Sequence, residues 1–400
     1  MPISMIKTDK NDSIHLASKT KGDDLSIIIA GDLCPMGRSE EFFKIGNIEK
    51  LFSGILPTVR DSDLSIVNLE CPLTKQWSPI LKYGPHLRAD PSCAKSIYEA
   101  GFNIVSLANN HILDMGEKGL IDTLAACNDA GLLSVGAGIN LDHASELLYL
   151  EVKNKRIAIL SVTEHEFSIA KTNSPGACPL DLINIFYQIK EAQQRSDFIL
   201  VIVHCGNEYF ELPSPGIVKK CHYLVDLGVN AIVCNHVHVP GGMEIYKDTP
   251  IIYFNGNFLF ESDNEPDEWY KGFLVKFLIS PITGTTVELV PYQQSKNDIG
   301  ITLMDERERQ LFLNNVSNLS NIISCPEDLL QKWMAFVNSK QIFYLSMLLN
   351  LSKVERKLLQ FGLWPFWRLK RSDGIRLLNL FTCESHQELI ISLLSEKFLN

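Results

Sequence analysis

Six nearly unbroken apolar runs punctuate the first 260 residues, and each stops abruptly at polar residues. Ser26 to Ala30 ends at Gly31-Asp32, and Leu64 to Val67 ends at Asn68-Leu69-Glu70, where Pro72 forbids further central pairing. Phe102 to Leu107 ends at Ala108-Asn109-Asn110-His111, and Arg156 to Leu160 at Ser161-Val162-Thr163. Phe198 to Val203 leads into His204-Cys205-Gly206-Asn207-Glu208, and Asn230 to Val233 into Cys234-Asn235-His236-Val237-His238. Runs without alternation mark strands buried on both faces.

Helical signals fall between them. Asp90-Pro91 opens a helix that Gly101 closes, Gly116 to Ala130 is closed by Gly131, Asp181 to Arg195 follows, and Ser214-Pro215 starts a helix that ends at Gly228. Pro250 to Phe254 then delivers Asn255-Gly256-Asn257, and Gly272 to Ile279 and Thr286 to Val290 predict closing strands. Strands alternating with helices predict an α/β protein with a mostly parallel sheet, which binds ligands beyond the carboxyl ends of its strands. From about residue 300 the strands give way to predicted helices over Arg307 to Ile323, Pro326 to Leu349, Lys353 to Phe361 and Gly374 to Phe398. Three regions follow: a polar leader over 1–25, a main domain over 26–295 and a helical extension over 300–400.

Composition narrows the class. At 46% hydrophobic and 21% charged the chain is globular, and a net charge of −10 argues against nucleic-acid binding. No apolar run is long enough for a transmembrane span and the leader lacks a signal-peptide core, so a cytoplasmic chain is expected. The ten cysteines are scattered without a C-x-x-C, and buried free thiols are expected. Phe361 to Arg371 mixes aromatic and basic residues, suiting either packing on the main domain, which is the expectation, or peripheral contact with a membrane surface.

The strand ends gather Asp32, Asn68, Glu70, Asn110, His111, His204, His236 and His238. An extended His-x-His points both rings the same way, although a bare pair is also common on surfaces. Carboxylate, amide and imidazole together suit a divalent cation such as Zn, Mn or Fe, and so many ligands allow two ions. Two ions a few ångströms apart activate water for hydrolysis, most often of phosphoesters.

Gly31-Asp32, Asn68-Leu69-Glu70-Cys71-Pro72, Asn109-Asn110-His111 with Asp114 and Gly116, His204-x-Gly206-x-Glu208-Tyr209, His236-x-His238-Val239 and Gly256-Asn257-Phe258 occur in one order. Together they resemble the CapA family of poly-gamma-glutamate capsule biosynthesis, a branch of the calcineurin-like metallophosphoesterases. The resemblance spans Ser26 to Tyr292 and implies a four-layer sandwich, two β-sheets flanked by helices, followed here by the helical extension. It implies that Asp32 and His238 hold one metal, that Asn110, His204 and His236 hold the other, and that Glu70 bridges them. His111 matches the histidine that protonates the leaving group, and Asp114 stands close enough in sequence to orient it.

The chain departs from the pattern in three places. Conventional metallophosphoesterases read Asp-x-His where this chain has Asp32-x-Cys34, and Cys34 is either a thiolate ligand or, as favoured here, a packed thiol. Glu70 replaces an aspartate, and Asn235 stands where the family commonly has histidine. Glu208 and Glu244 are candidates to orient histidines, Asn68 and Asn257 to support the site, and Arg38 and Arg88 to meet an anionic substrate, although single arginines are usually solvated. The expectation is a metal-dependent hydrolase serving capsule or exopolymer synthesis, acting on a phosphoester or a gamma-glutamyl amide. Its alternatives are a metal-stabilised accessory subunit that docks capsule-synthesis proteins through the extension, and a small-molecule phosphoesterase.

Overall fold

The computed structural model describes residues 14–15, 23–280, 282, 284–361, 363 and 371–398. In chain order its strands are β1 (Ile14–His15), β2 (Leu25–Cys34), β3 (Leu64–Leu69), β4 (Ile104–Ser106), β5 (Leu133–Val135), β6 (Ala137–Gly138), β7 (Leu148–Val152), β8 (Lys155–Thr163) and β9 (Gly176–Ala177). They continue with β10 (Phe198–His204), β11 (Ala231–Asn235), β12 (Met243–Tyr246), β13 (Thr249–Ile252), β14 (Asn257–Phe260), β15 (Lys271–Ser280), β16 (Gly284–Gln294) and β17 (Ile301–Leu303).

The apolar runs divide between two sheets. One has seven strands in the order β1-β7-β8-β10-β11-β13-β12; the other has eight, in the order β17-β16-β15-β2-β3-β4-β5 with β14 paired to β2. Because side chains alternate across a strand, each run feeds two cores. Ile27, Ile29 and Ile66 of the eight-stranded sheet meet Ile159, Leu200 and Val233 of the seven-stranded sheet in a single inter-sheet cluster. Ile28, Ala30 and Val67 face the other way, onto Phe43, Phe52 and Ile97 of helices. Val201, Val203 and Ile232 likewise meet Ile185, Ile189 and Leu224. Helix, sheet, sheet, helix is the expected four-layer sandwich, and each fully buried aliphatic side chain contributes about 1.5–3 kcal/mol.

The parallel centres of both sheets match the sequence expectation, but their margins do not. β7 runs antiparallel to β8, β12 to β13, and β15 to both β2 and β16. Two of the predicted helices start where their caps stand, whereas the helix expected to open at Asp90-Pro91 begins at Cys93, because Asp90 Oδ1 accepts from the Ser92 backbone N–H at 2.9 Å in a turn ahead of it. Asp181 accepts from the Ile183 backbone N–H at 2.9 Å, Ser214 from that of Ile217 at 3.2 Å, and Gly131 closes Gly116–Ala130 at φ 85°.

The chain forms two compact units that divide after Leu330. The helix Glu306–Ile323 belongs to the first: Phe312 and Val316 join the inter-sheet cluster, and Leu319 and Ile323 join the outer cluster of the seven-stranded sheet. The second unit holds most of the helix Pro326–Leu348, then Lys353–Gln360, Arg371–Thr382 and Glu384–Phe398. The single helix predicted over Gly374 to Phe398 is therefore two, separated at Cys383. Of the aromatic and basic stretch Phe361 to Arg371, residues 362 and 364–370 lie outside the described residues, as do 1–13 and 16–22 of the polar leader. Among the described residues no helix is long and apolar enough to cross a membrane.

Candidate metal centre

Strand register assembles the site. Asp32 of β2 lies opposite Asn68 of β3 on one side and Asn257 of β14 on the other. In the second sheet His204 of β10 lies opposite Asn235 of β11. Gly31 permits the approach of β14: a Cβ there would stand 1.8 Å from the Gly256 carbonyl oxygen. Both sheets thus present their carboxyl ends to one place.

The two histidines after β11 reach it differently from expectation. β11 stops at Asn235, and His236 and His238 have φ of 103° and 64°. Extended alternation therefore does not orient the rings; a left-handed turn does, and such conformations cost of order 1–3 kcal/mol each. Site contacts hold that turn. The His236 backbone N–H donates to Asp32 Oδ2 at 3.1 Å, and Asn257 Nδ2 donates to the His238 carbonyl at 3.2 Å. The ring centroids lie 4.6 Å apart for His204 and His236 and 6.0 Å apart for His236 and His238.

Glu70 occupies the middle. Its Oε1 lies 3.4 Å from His204 Nε2 and 3.8 Å from His238 Nε2, yet neither carboxylate oxygen has a hydrogen-bond partner although the side chain is fully buried. His236 Nδ1 is also buried without a partner. Two sets of donor atoms converge within 4.8 Å, Asp32-Glu70-His204 and Glu70-His236-His238, and Glu70 belongs to both. Leaving a buried carboxylate unsatisfied costs several kcal/mol, which a coordinated cation would offset. The donor set thus fits a divalent cation.

Neighbouring amides fix the ligands. Asn257 Oδ1 accepts from His238 Nδ1 at 3.0 Å, which leaves Nε2 as the donor atom. Asn68 Nδ2 lies 2.7 Å from Asp32 Oδ1 and 3.3 Å from His204 Nδ1, and Asn110 Oδ1 lies 3.1 Å from His204 Nε2. Burial and then the nearby Asp32 charge push Glu70 well above the usual carboxylate range. Burial lowers His204 to about 4 and holds His236 well below its ordinary value. His238, against the pull of burial, is raised to about 9 by Glu70 and Asp32. Asp32, against the push of burial, is lowered chiefly by His238.

His111 stands beside the cluster in a hydrogen-bonded group of its own. Its Nδ1 lies 2.6 Å from Asp114 Oδ2, which also accepts from the Leu87 backbone N–H at 2.7 Å. Lys82, which sequence reasoning missed, is buried here: its Nζ pairs with Asp114 Oδ1 and lies 3.1 Å from His111 Nδ1. No periodicity or motif marks Lys82, because it comes from a polar connecting stretch. Also unmarked in sequence are Ser168, whose Oγ donates to the Asn110 carbonyl at 2.6 Å, and Trp269, whose ring lies 4.8 Å from that of His238.

Five candidates stand elsewhere or serve otherwise. Glu244 accepts from His222 Nε2 at 2.8 Å and from the Tyr253 hydroxyl at 2.6 Å, so it orients an outer histidine and no member of the cluster. Arg38 is bound to Glu261 at 2.8 Å and to the Ser295 carbonyl at 2.9 Å, and Arg88 donates to the Lys75 carbonyl at 3.1 Å; each guanidinium satisfies protein groups. Cys34 is a packed thiol in the outer core of its sheet, raised well above its ordinary pKa by burial and by Cys71. Glu208 is exposed, and its charge reaches Glu70 and His238; Glu166 Oε1 lies 3.9 Å from His236 Nε2.

The family described as bacterial capsule synthesis protein PGA_cap matches residues 26–262. The capsule biosynthesis protein CapA of Bacillus anthracis is 31% identical over 63% of this chain and 64% of its own length. The PGA biosynthesis protein CapA of Bacillus subtilis is 33% identical over 61% of this chain and 65% of its own length. A probable polyglutamine synthesis accessory protein of Mycobacterium tuberculosis is 25% identical over 68% of this chain and 77% of its own length. The match to the two Bacillus relatives thus spans just under two thirds of their length.

Proposed function

The chain belongs to the bacterial capsule synthesis family PGA_cap, and from that premise we propose that it is a metal-dependent hydrolase of the metallophosphatase type acting in capsule or poly-gamma-glutamate synthesis. One observation carries the reading: a fully buried Glu70 whose two oxygens lack partners while His204, His236, His238 and Asp32 surround it. Asp32, Glu70, Asn110, His204, His236 and His238 would hold two divalent ions, of Mn, Zn or Fe. When bound, such ions would supply a water acidified enough to attack at neutral pH and charge to stabilise the displaced oxygen.

The chain's own groups do the rest. Asn257 and Asn68 hold His238 and Asp32 in their working orientations. Asp114 fixes His111 through Nδ1, leaving Nε2 to deliver a proton to the leaving group. Lys82 holds the other oxygen of Asp114 and so keeps that carboxylate from turning away.

A second reading, an accessory subunit that binds metal without turnover, is favoured by the state of the arginines. Arg38 and Arg88 are engaged elsewhere, while the acidic Glu166 and Glu208 lie toward the cluster, an arrangement that repels a polyanion. Metal-loaded protein assayed on a phosphomonoester, a phosphodiester and a gamma-glutamyl peptide separates the readings. Turnover of one class that His111→Ala lowers by about 10²–10⁴ supports the hydrolase. Bound metal with no turnover of any class supports the accessory subunit.

A further inference from the structure

The second unit differs from the first in charge and in what it leaves uncovered. Residues 331–400 carry ten lysines and arginines against five aspartates and glutamates, a net of +5 in a chain of −10, so residues 1–330 hold −15. Its buried cluster is small, Leu351 and Leu359 with a few partly buried neighbours. Exposed apolar side chains instead form stripes at helical spacing. Val354, Leu358 and Phe361 stand four and three apart on and just beyond Lys353–Gln360, and Ile375, Leu378 and Phe381 stand three apart on Arg371–Thr382. Val354 is 69% exposed, Phe361 74% and Phe381 54%.

We propose that these two stripes lie on an anionic lipid surface. Short helices with large apolar residues along one face and lysine or arginine beside them bind in the plane of a membrane interface, through buried apolar area and attraction to acidic headgroups. Lys353 and Lys357 flank the first stripe. A protein–protein interface core is instead depleted in lysine. The charge contrast restricts the contact to this unit, since the acidic remainder of the chain is repelled by the same headgroups.

The test is co-sedimentation of the full chain with vesicles of phosphatidylglycerol and phosphatidylcholine in equal parts, against vesicles of phosphatidylcholine alone. Binding to the acidic vesicles only, weakening as salt rises, is expected. Leu378→Glu with Phe381→Glu should lower it about tenfold or more, and Lys353→Gln with Lys357→Gln about fivefold per lysine. The lysine pair leaves the apolar packing intact, so it remains informative if the glutamate variant misfolds. Equal binding of wild type and lysine variant overturns the proposal. So does indifference to headgroup charge, or a lipid-inert dimer in solution that the glutamate variant dissociates.

Discussion

At the scale of single residues, the buried carboxylate of Glu70 governs what the site can do. With both oxygens unpartnered, it is unfavourable unless protonated or coordinated, and its raised pKa expresses the first alternative. The same holds for the proton on His238, raised to about 9. A cation must displace the His238 proton, so its apparent affinity should fall as pH drops below about 9, with proton release on binding; titration calorimetry in buffers of different ionisation heat measures it. Asn257→Ala removes the acceptor that orients His238 and should weaken metal affinity about 10- to 100-fold, read by competition with a chelating dye. Lys82→Met should lower turnover while leaving bound metal unchanged, because Lys82 touches Asp114 and His111 and no member of the metal cluster.

At the scale of elements, the close approach of β2 and β14 brings Asp32 and Asn257 together. Gly31→Ala puts a methyl group into the Gly256 carbonyl. It should cost about 3 kcal/mol or more in chemical denaturation and reduce metal binding with it, since overpacking moves backbone. This dependence explains what the sequence disclosed. β2, β3, β10 and β11 were legible because strands buried on both faces leave unbroken apolar runs, and their polar tips named the cluster in advance. Membership of one sheet or the other was not legible from those runs, because Ile29 and Leu200 look alike whichever sheet holds them; only the family resemblance anticipated two sheets. The conformation of His236 and His238 was hidden too, since contacts from Asp32 and Asn257, remote in sequence, impose it. Lys82 and the true partners of Glu244, Arg38 and Arg88 depend on tertiary placement that no local pattern encodes.

At the scale of the whole molecule, two sheets meet across an apolar core and converge their carboxyl ends on one cluster of donors. Such a cluster couples stability to metal: ligand at 100 times its dissociation constant adds about 2.7 kcal/mol. Chelation should therefore lower the melting temperature, and readdition of Mn or Zn should restore it. The most direct test is the metal content of protein purified without chelators, by mass spectrometry of the elements beside a Glu70→Gln variant. About two divalent ions per chain in the wild type, and a large loss in the variant, are predicted. A wild-type chain that stays metal-free after incubation with Mn, Zn and Fe would contradict the account.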